Sequence, residues 1–183
     1  MPAVRFCSAC SAALPSEPPT TCTACGAMHF RNPKPCANAI VVHEGKLLLV
    51  RRAHGPWYDA WCSPGGFCER GEHPLETLER EVLEETGQRV EATGYLGVWV
   101  DEYADAPGDP DADVINVGYY LARPVGDGGG AVDPAEVSDV AWISWDELPQ
   151  NLAPPRTLEA VLDVARAALA GRAPAIPDRP STS

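Results

Sequence analysis

Basic residues are scarce in this 183-residue chain: 14 lysines and arginines stand against 26 aspartates and glutamates, a net charge of −12 at pH 7. A surface of that balance cannot neutralise a run of phosphates, which argues against nucleic acid as a partner. A compact anionic ligand remains compatible if metal ions supply the positive charge. Long apolar runs are missing as well, and none approaches the roughly 20 residues of a membrane-spanning helix. The opening MPAVRFCSACSAALP has no apolar core of the signal-peptide kind. No membrane association is expected, and a cytoplasmic protein is. A secreted disulfide framework is disfavoured on the same ground.

What is abundant is cysteine, seven in all. Four form two short pairs, Cys7/Cys10 and Cys22/Cys25, with eleven residues between the pairs. Each pair can turn back so that both thiolates face one ion, and two pairs complete the tetrahedron of a structural Zn²⁺ site. Gly26, directly after the second pair, supplies the backbone freedom that such a turn uses. The segment has few large apolar residues to fold on its own without a metal staple. Disulfides or plain thiols are the competing readings. With little basic or aromatic content between the pairs, a structural or homodimer-forming role is favoured over nucleic-acid reading. Cys36, Cys62 and Cys68 read as small core or loop residues.

Past the cysteine pairs, Arg31–Cys36 (RNPKPC) reads as an extended connector. ANAIVV and KLLLVRR flank His43-Glu44-Gly45 in a hairpin pattern. A brief strand around Trp61 ends at Pro64-Gly65-Gly66. Leu75, Leu78 and Val82 recur at helical steps, with Pro74 suited to the first turn and Gly87 to the position after the last. Strands follow at 89–103 and 113–125, separated by an acidic loop whose Asp105, Asp109, Asp111 and Asp113 read as solvated. A further strand is expected over Val137–Ser144, then an alanine-rich helix closing at Gly171. This order suggests an α/β protein, a mixed sheet with helices packed on it.

Six glutamates fall between positions 72 and 85, on the central helix and just before it. Glu81, Glu84 and Glu85 share one face, and Arg80 stands four residues before Glu84. Like charges so arranged repel, and hard divalent cations would remove that repulsion. The residues alone leave a metal site and a solvated glutamate face equally open.

The run from Gly66 to Gln88, GFCERGEHPLETLEREVLEETGQ, resembles the Nudix box, G-x5-E-x7-R-E-U-x-E-E-x-G-U, where U is a bulky aliphatic residue. Gly66, Glu72, Arg80, Glu81, Val82, Glu84, Glu85 and Gly87 fill its fixed positions, and Gln88 departs from the last. The ribbon together with NPKP is similar to a zinc-ribbon subset of Nudix hydrolases, which includes ADP-ribose and FAD pyrophosphatases. The S-Q-P-W-P-F-P signature of NADH pyrophosphatases is absent, which counts against NADH.

The resemblance implies an α/β/α sandwich with a mixed sheet over residues 35–171, preceded by a zinc ribbon in 1–34; the composition of the tail, 172–183, is that of a disordered segment. It implies hydrolysis of a nucleoside diphosphate linked to another moiety, with Mg²⁺ or Mn²⁺ as catalytic cofactor and a small nucleotide as the binding partner. Glu81 and Glu85 are then the metal ligands, with Glu84 and the Gly65 carbonyl sharing the sphere. Arg80 holds the carboxylates, and Glu84, Glu85 and Glu136 are the candidate general bases. Arg51 and Arg52, with Gly66, are candidates to meet the diphosphate. Trp57, Tyr58, Phe67 and Trp99 are candidates to stack on a base or flavin. The four histidines read as surface or loop residues.

Overall fold

The computed structural model describes residues 5–104, 109, 112–126, 129 and 132–172. Residues 5–33 form a ribbon of two cysteine turns and a small hairpin, β1 (Thr20–Thr21) with β2 (Met28–His29). The two turns repeat one hydrogen-bond scheme. Cys7 N donates to Ala12 O and Ser11 N to Cys7 O, as Cys22 N does to Ala27 O and Gly26 N to Cys22 O, all at 2.8–2.9 Å. The left-handed position of each turn is filled by Ser11 (φ 61°) and by Gly26 (φ 76°).

The rest is a mixed sheet with one helix on each face. β3 (Lys34–His43) and β4 (Lys46–Arg52) meet through a turn in which Glu44 and Gly45 are both left-handed. Lys34–Cys36, expected as connector, is already strand, because it pairs in parallel with Ile115–Val117. β5 (Trp61–Cys62) pairs with β4. β6 (Gly65–Phe67), where a loop is expected, lies antiparallel on β3. β7 (Val90–Tyr103) and β8 (Asp113–Pro124) form a long antiparallel pair. β9 (Val137–Ser144) returns to β4. The path runs β5-β4-β3-β8-β7, with only β3–β8 parallel.

Helix α1 (Pro74–Thr86) buries Leu78 and Val82 against Ala37, Ala39, Val41 and Leu48 on one face of the sheet. Leu75 is partly exposed, and Thr77 takes its place in the buried stripe. The helix is closed at both ends. His73 Nδ1 accepts from Leu75 N, Glu76 accepts from His73 N, and Gly87 (φ 70°) sends its N–H to Leu83 O. Glu76 is thus part of a capping box. Val90, two residues past Gln88, is buried beside Leu78 and Val82. Helix α2 (Pro155–Leu169) covers the opposite face with Leu158, Val161, Leu162 and Ala165 on Ile40, Leu47, Leu49 and Tyr119. Among the described residues no helix is long and apolar enough to cross a membrane. Asp105, Asp111 and the tail beyond Arg172 lie outside the described residues. Asp113 pairs with Lys34 at 2.6 Å.

Candidate active site

α1 lays its glutamates beside β6, and Arg80 organises them. Its Nε and Nη2 donate to Glu72 Oε1 (2.8 Å) and Oε2 (3.0 Å), and Nη1 to Glu81 Oε1 (2.7 Å) and Glu84 Oε2 (3.1 Å). Nη2 also reaches the Phe67 carbonyl at 3.3 Å. One guanidinium therefore ties three carboxylates and the end of β6, the planar fork suited to charge-assisted bonds. Arg80, Glu69 N–H and the Thr77 hydroxyl hold Glu72 down at about 2. Glu72 is a fixed anion of the scaffold, 15% exposed at its side chain.

Glu81 and Glu85 are different. Burial, opposed by Arg80, pushes the Glu81 carboxyl up. Burial pushes Glu85 to about 8; the Gly65 N–H bond to its Oε2 at 2.9 Å opposes the rise, and Glu81 and Glu136 add to it. Two acids held in low dielectric with too few donors are a standing electrostatic debt, and a hard divalent cation bound by oxygen atoms cancels it. Glu81, Glu85 and Glu136 all line one cavity of about 410 Å³, oxygen donors of the kind such an ion takes. Glu136 enters it from the residue before β9, its carbonyl accepting from Ala53 N at 3.0 Å. Glu84 is half-exposed at the rim and does not line the cavity. Gly65 and Gly66 both line it.

The same cavity is lined by Arg52, His54, Trp57, Phe67 and Tyr103. Arg52 donates to Pro56 O (2.8 Å) and the Tyr103 hydroxyl (3.0 Å) and lies against the Trp57 and Tyr103 rings. Tyr103 meets both Trp57 and Phe67 edge-on, at 5.7 and 5.5 Å between centroids. Arg51 points elsewhere and pairs with Asp59 at 2.8 Å. Tyr58 is exposed, and Trp99 packs edge-on to Tyr119 in the core. Tyr103 and His54 are cavity residues that the sequence reading does not single out. His54 reads as a loop residue, and Tyr103 reaches the cavity only through the long β7–β8 register.

The four ribbon sulfurs lie within 4.8 Å of one another. Cys7–Cys25 and Cys10–Cys22 Sγ separations are 3.6 and 3.7 Å. Tetrahedral zinc with Zn–S of about 2.3 Å sets an edge of about 3.8 Å, so the cluster fits that ion.

The NUDIX domain model matches residues 33–162. The chain belongs to the Nudix family. Among curated relatives, an ADP-ribose pyrophosphatase of Methanocaldococcus jannaschii is 33% identical over 92 residues, covering 50% of this chain and 52% of that one. YjhB of Bacillus subtilis is 31% identical over 142 residues, covering 76% and 63%. The chain thus spans about half to two thirds of the length of these relatives. The crystal structure of a NUDIX hydrolase from Nitrosomonas europaea superposes with a TM-score of 0.72 at 25% identity, covering 92% of this chain and 94% of that one. The Nudix box of this chain runs from β6 through α1, and its Arg80, Glu81 and Glu85 are the residues drawn together beside the cavity.

Proposed function

We propose that this Nudix domain hydrolyses the pyrophosphate bond of a nucleoside diphosphate linked to another moiety, such as ADP-ribose or FAD, releasing a nucleotide and the phosphorylated moiety. The observation that carries this reading is a single cavity lined by Glu81, Glu85 and Glu136 together with Arg52 and three aromatic rings. Mg²⁺ or Mn²⁺ held there by Glu81, Glu85 and the Gly65 carbonyl, with Glu84 at the rim, would screen the diphosphate and acidify a water. Arg80 keeps the carboxylates in place before substrate arrives. Arg52 meets the phosphate charge, and Trp57, Phe67 or Tyr103 offers a face to the planar ring. Glu136 is the base candidate best separated from the Arg80 network, with Glu84 and Glu85 the others. Zn²⁺ in the ribbon is structural, and the reaction is assigned to the cytoplasm.

The test is turnover of ADP-ribose, FAD, NADH, diadenosine polyphosphates and nucleoside triphosphates with Mg²⁺ or Mn²⁺. ADP-ribose or FAD is expected to be cleaved and NADH poorly. Failure to cleave any of them by folded, zinc-loaded protein would sink the reading. Glu85→Gln is expected to lower turnover by at least about a hundredfold with the fold intact; near-normal activity in that variant removes Glu85 from the metal site.

A further inference from the structure

We propose that His29 is a fifth, non-coordinating member of the zinc site, donating its Nε2–H to the Cys7 sulfur and bracing the two cysteine turns against each other. His29 Nε2 stands 3.2 Å from Cys7 Sγ. It belongs to the chain leaving the second turn, yet it contacts a sulfur of the first, 22 residues earlier. The β1–β2 pairing fixes this placement, because His29 is in register with Thr20 and Met28 with Thr21. The left-handed Gly26 turns the chain back for that pairing.

The chemistry gives the contact a direction. Four thiolates around Zn²⁺ leave a net charge of −2, and a zinc-bound sulfur has no proton to give. Each sulfur can then only accept. Backbone N–H groups serve this purpose at every cysteine: Ala9 on Cys7 at 3.4 Å, Ala12 on Cys10, Ala24 and Cys25 on Cys22, and Ala27 on Cys25. Among the described residues, His29 is the one non-cysteine side chain hydrogen-bonded to any of the four sulfurs. To donate to a zinc-bound sulfur, the imidazole must carry a hydrogen on Nε2. The mutually close donor atoms are the four sulfurs alone, which places His29 outside the tetrahedron. A partner one bond removed from the metal orients its ligand and disperses its charge, and removing such a partner weakens affinity about tenfold to a hundredfold.

The full-length protein, stripped of metal and reloaded, tests this without any turnover measurement. The cobalt-loaded wild type is expected to show the charge-transfer bands of four thiolates. His29→Ala is expected to keep those bands while its zinc Kd, from competition with a chromophoric chelator, rises about tenfold or more. His29→Gln, whose amide can still donate, is expected to recover part of that loss. Three results would each overturn the proposal: a His29→Ala zinc affinity within twofold of wild type, a wild-type cobalt spectrum of three thiolates and one imidazole, or no uptake of metal by the wild type. The wild-type spectrum reads the site directly even if a variant folds poorly.

Discussion

The Glu81 carboxylate lies on the backbone of Gly66: a Cβ at position 66 would stand 2.5 Å from Glu81 Cδ and 2.6 and 2.7 Å from its oxygens. The box glycine is thus needed for the space that its own glutamate occupies, with Arg80 drawing the carboxylate to that place from the other side. Gly66→Ala is expected to displace Glu81, which is the far end of a flexible side chain, and to cut turnover and divalent-metal affinity at least about tenfold. Stability should change by less than about 1 kcal/mol. Gly65 makes the opposite case. Its Cβ would lie 2.3 Å from the Ala37 carbonyl oxygen, and its φ is 145°. Gly65→Ala must move β3 or β6, so it is expected to cost about 1–3 kcal/mol in urea unfolding. Equal stability losses in the two variants would refute this division.

Arg80 holds three carboxylates, and a lysine there keeps the charge but loses the fork. Arg80→Lys is expected to lower stability at neutral pH by about 1–3 kcal/mol and to loosen Glu81. The pH sign follows from Glu72. Its folded pKa, about 2, is below the ordinary 4.5 because Arg80 favours the anion. That stabilisation is complete above 4.5 and disappears as pH falls through about 2. The gap between wild type and Arg80→Lys should therefore shrink on acidification across that window. A gap independent of pH would mean that Arg80 acts through packing alone.

These two residues also show how far the site was legible in sequence. The helix, its ends and the shared face of Glu81, Glu84 and Glu85 follow from local periodicity and capping chemistry, which act within a few residues. Strand β6 was not legible, because three residues beginning Gly-Gly carry no alternation; pairing with β3 makes them a strand. Arg51 and Arg52 could not be told apart, since neighbours on a strand face opposite ways and only the fold says which face meets the cavity. The irregularity in β4–β9 pairing falls between these two residues. Tyr103 and His29 depend on partners 51 and 22 residues away, a range over which spacing gives no signal. Glu76 shows the reverse limit, a position variable in the box pattern yet fixed by a local cap.

The two arginines can be separated by kinetics. Arg52 lines the cavity, donates to a carbonyl and a phenol and faces Glu85, and among the described residues it forms no ion pair within 4.0 Å, so it can take up an anion. Arg52→Ala is expected to raise KM about tenfold or more, with a smaller effect on kcat. Arg51 holds Asp59, one of two non-glycine residues with positive φ in the turn that carries Trp57. Arg51→Ala is expected to change kcat/KM by no more than about threefold, since exposed ion pairs contribute about 0–1 kcal/mol. A larger loss for Arg51→Ala than for Arg52→Ala would reverse the assignment.

The proposed role of Glu85 as a metal ligand would couple metal binding to pH. The groups facing it are Glu81 from α1, Glu136 before β9, Arg52 from β4, Cys62 from β5 and the Gly65 N–H from β6. Burial drives the Cys62 thiol to about 12, so it stays neutral across the working range. Without metal, the folded Glu85 pKa of about 8 exceeds the ordinary 4.5. Its contribution to stability is then complete below 4.5 and is lost as pH rises through 8. A divalent cation needs the carboxylate, so binding below pH 8 must release a proton, and affinity should fall by up to about tenfold per pH unit there. The rise in Tm at fixed Mg²⁺ is expected to be small at pH 6 and to grow toward a plateau above 8. Calorimetry at pH 7 in buffers of different ionisation enthalpy should register the released proton. Glu85→Gln should lose both the Mg²⁺ stabilisation and its pH slope. A wild-type Mg²⁺ effect that stays level between pH 6 and 9 would show that the buried carboxylate is not what the metal binds.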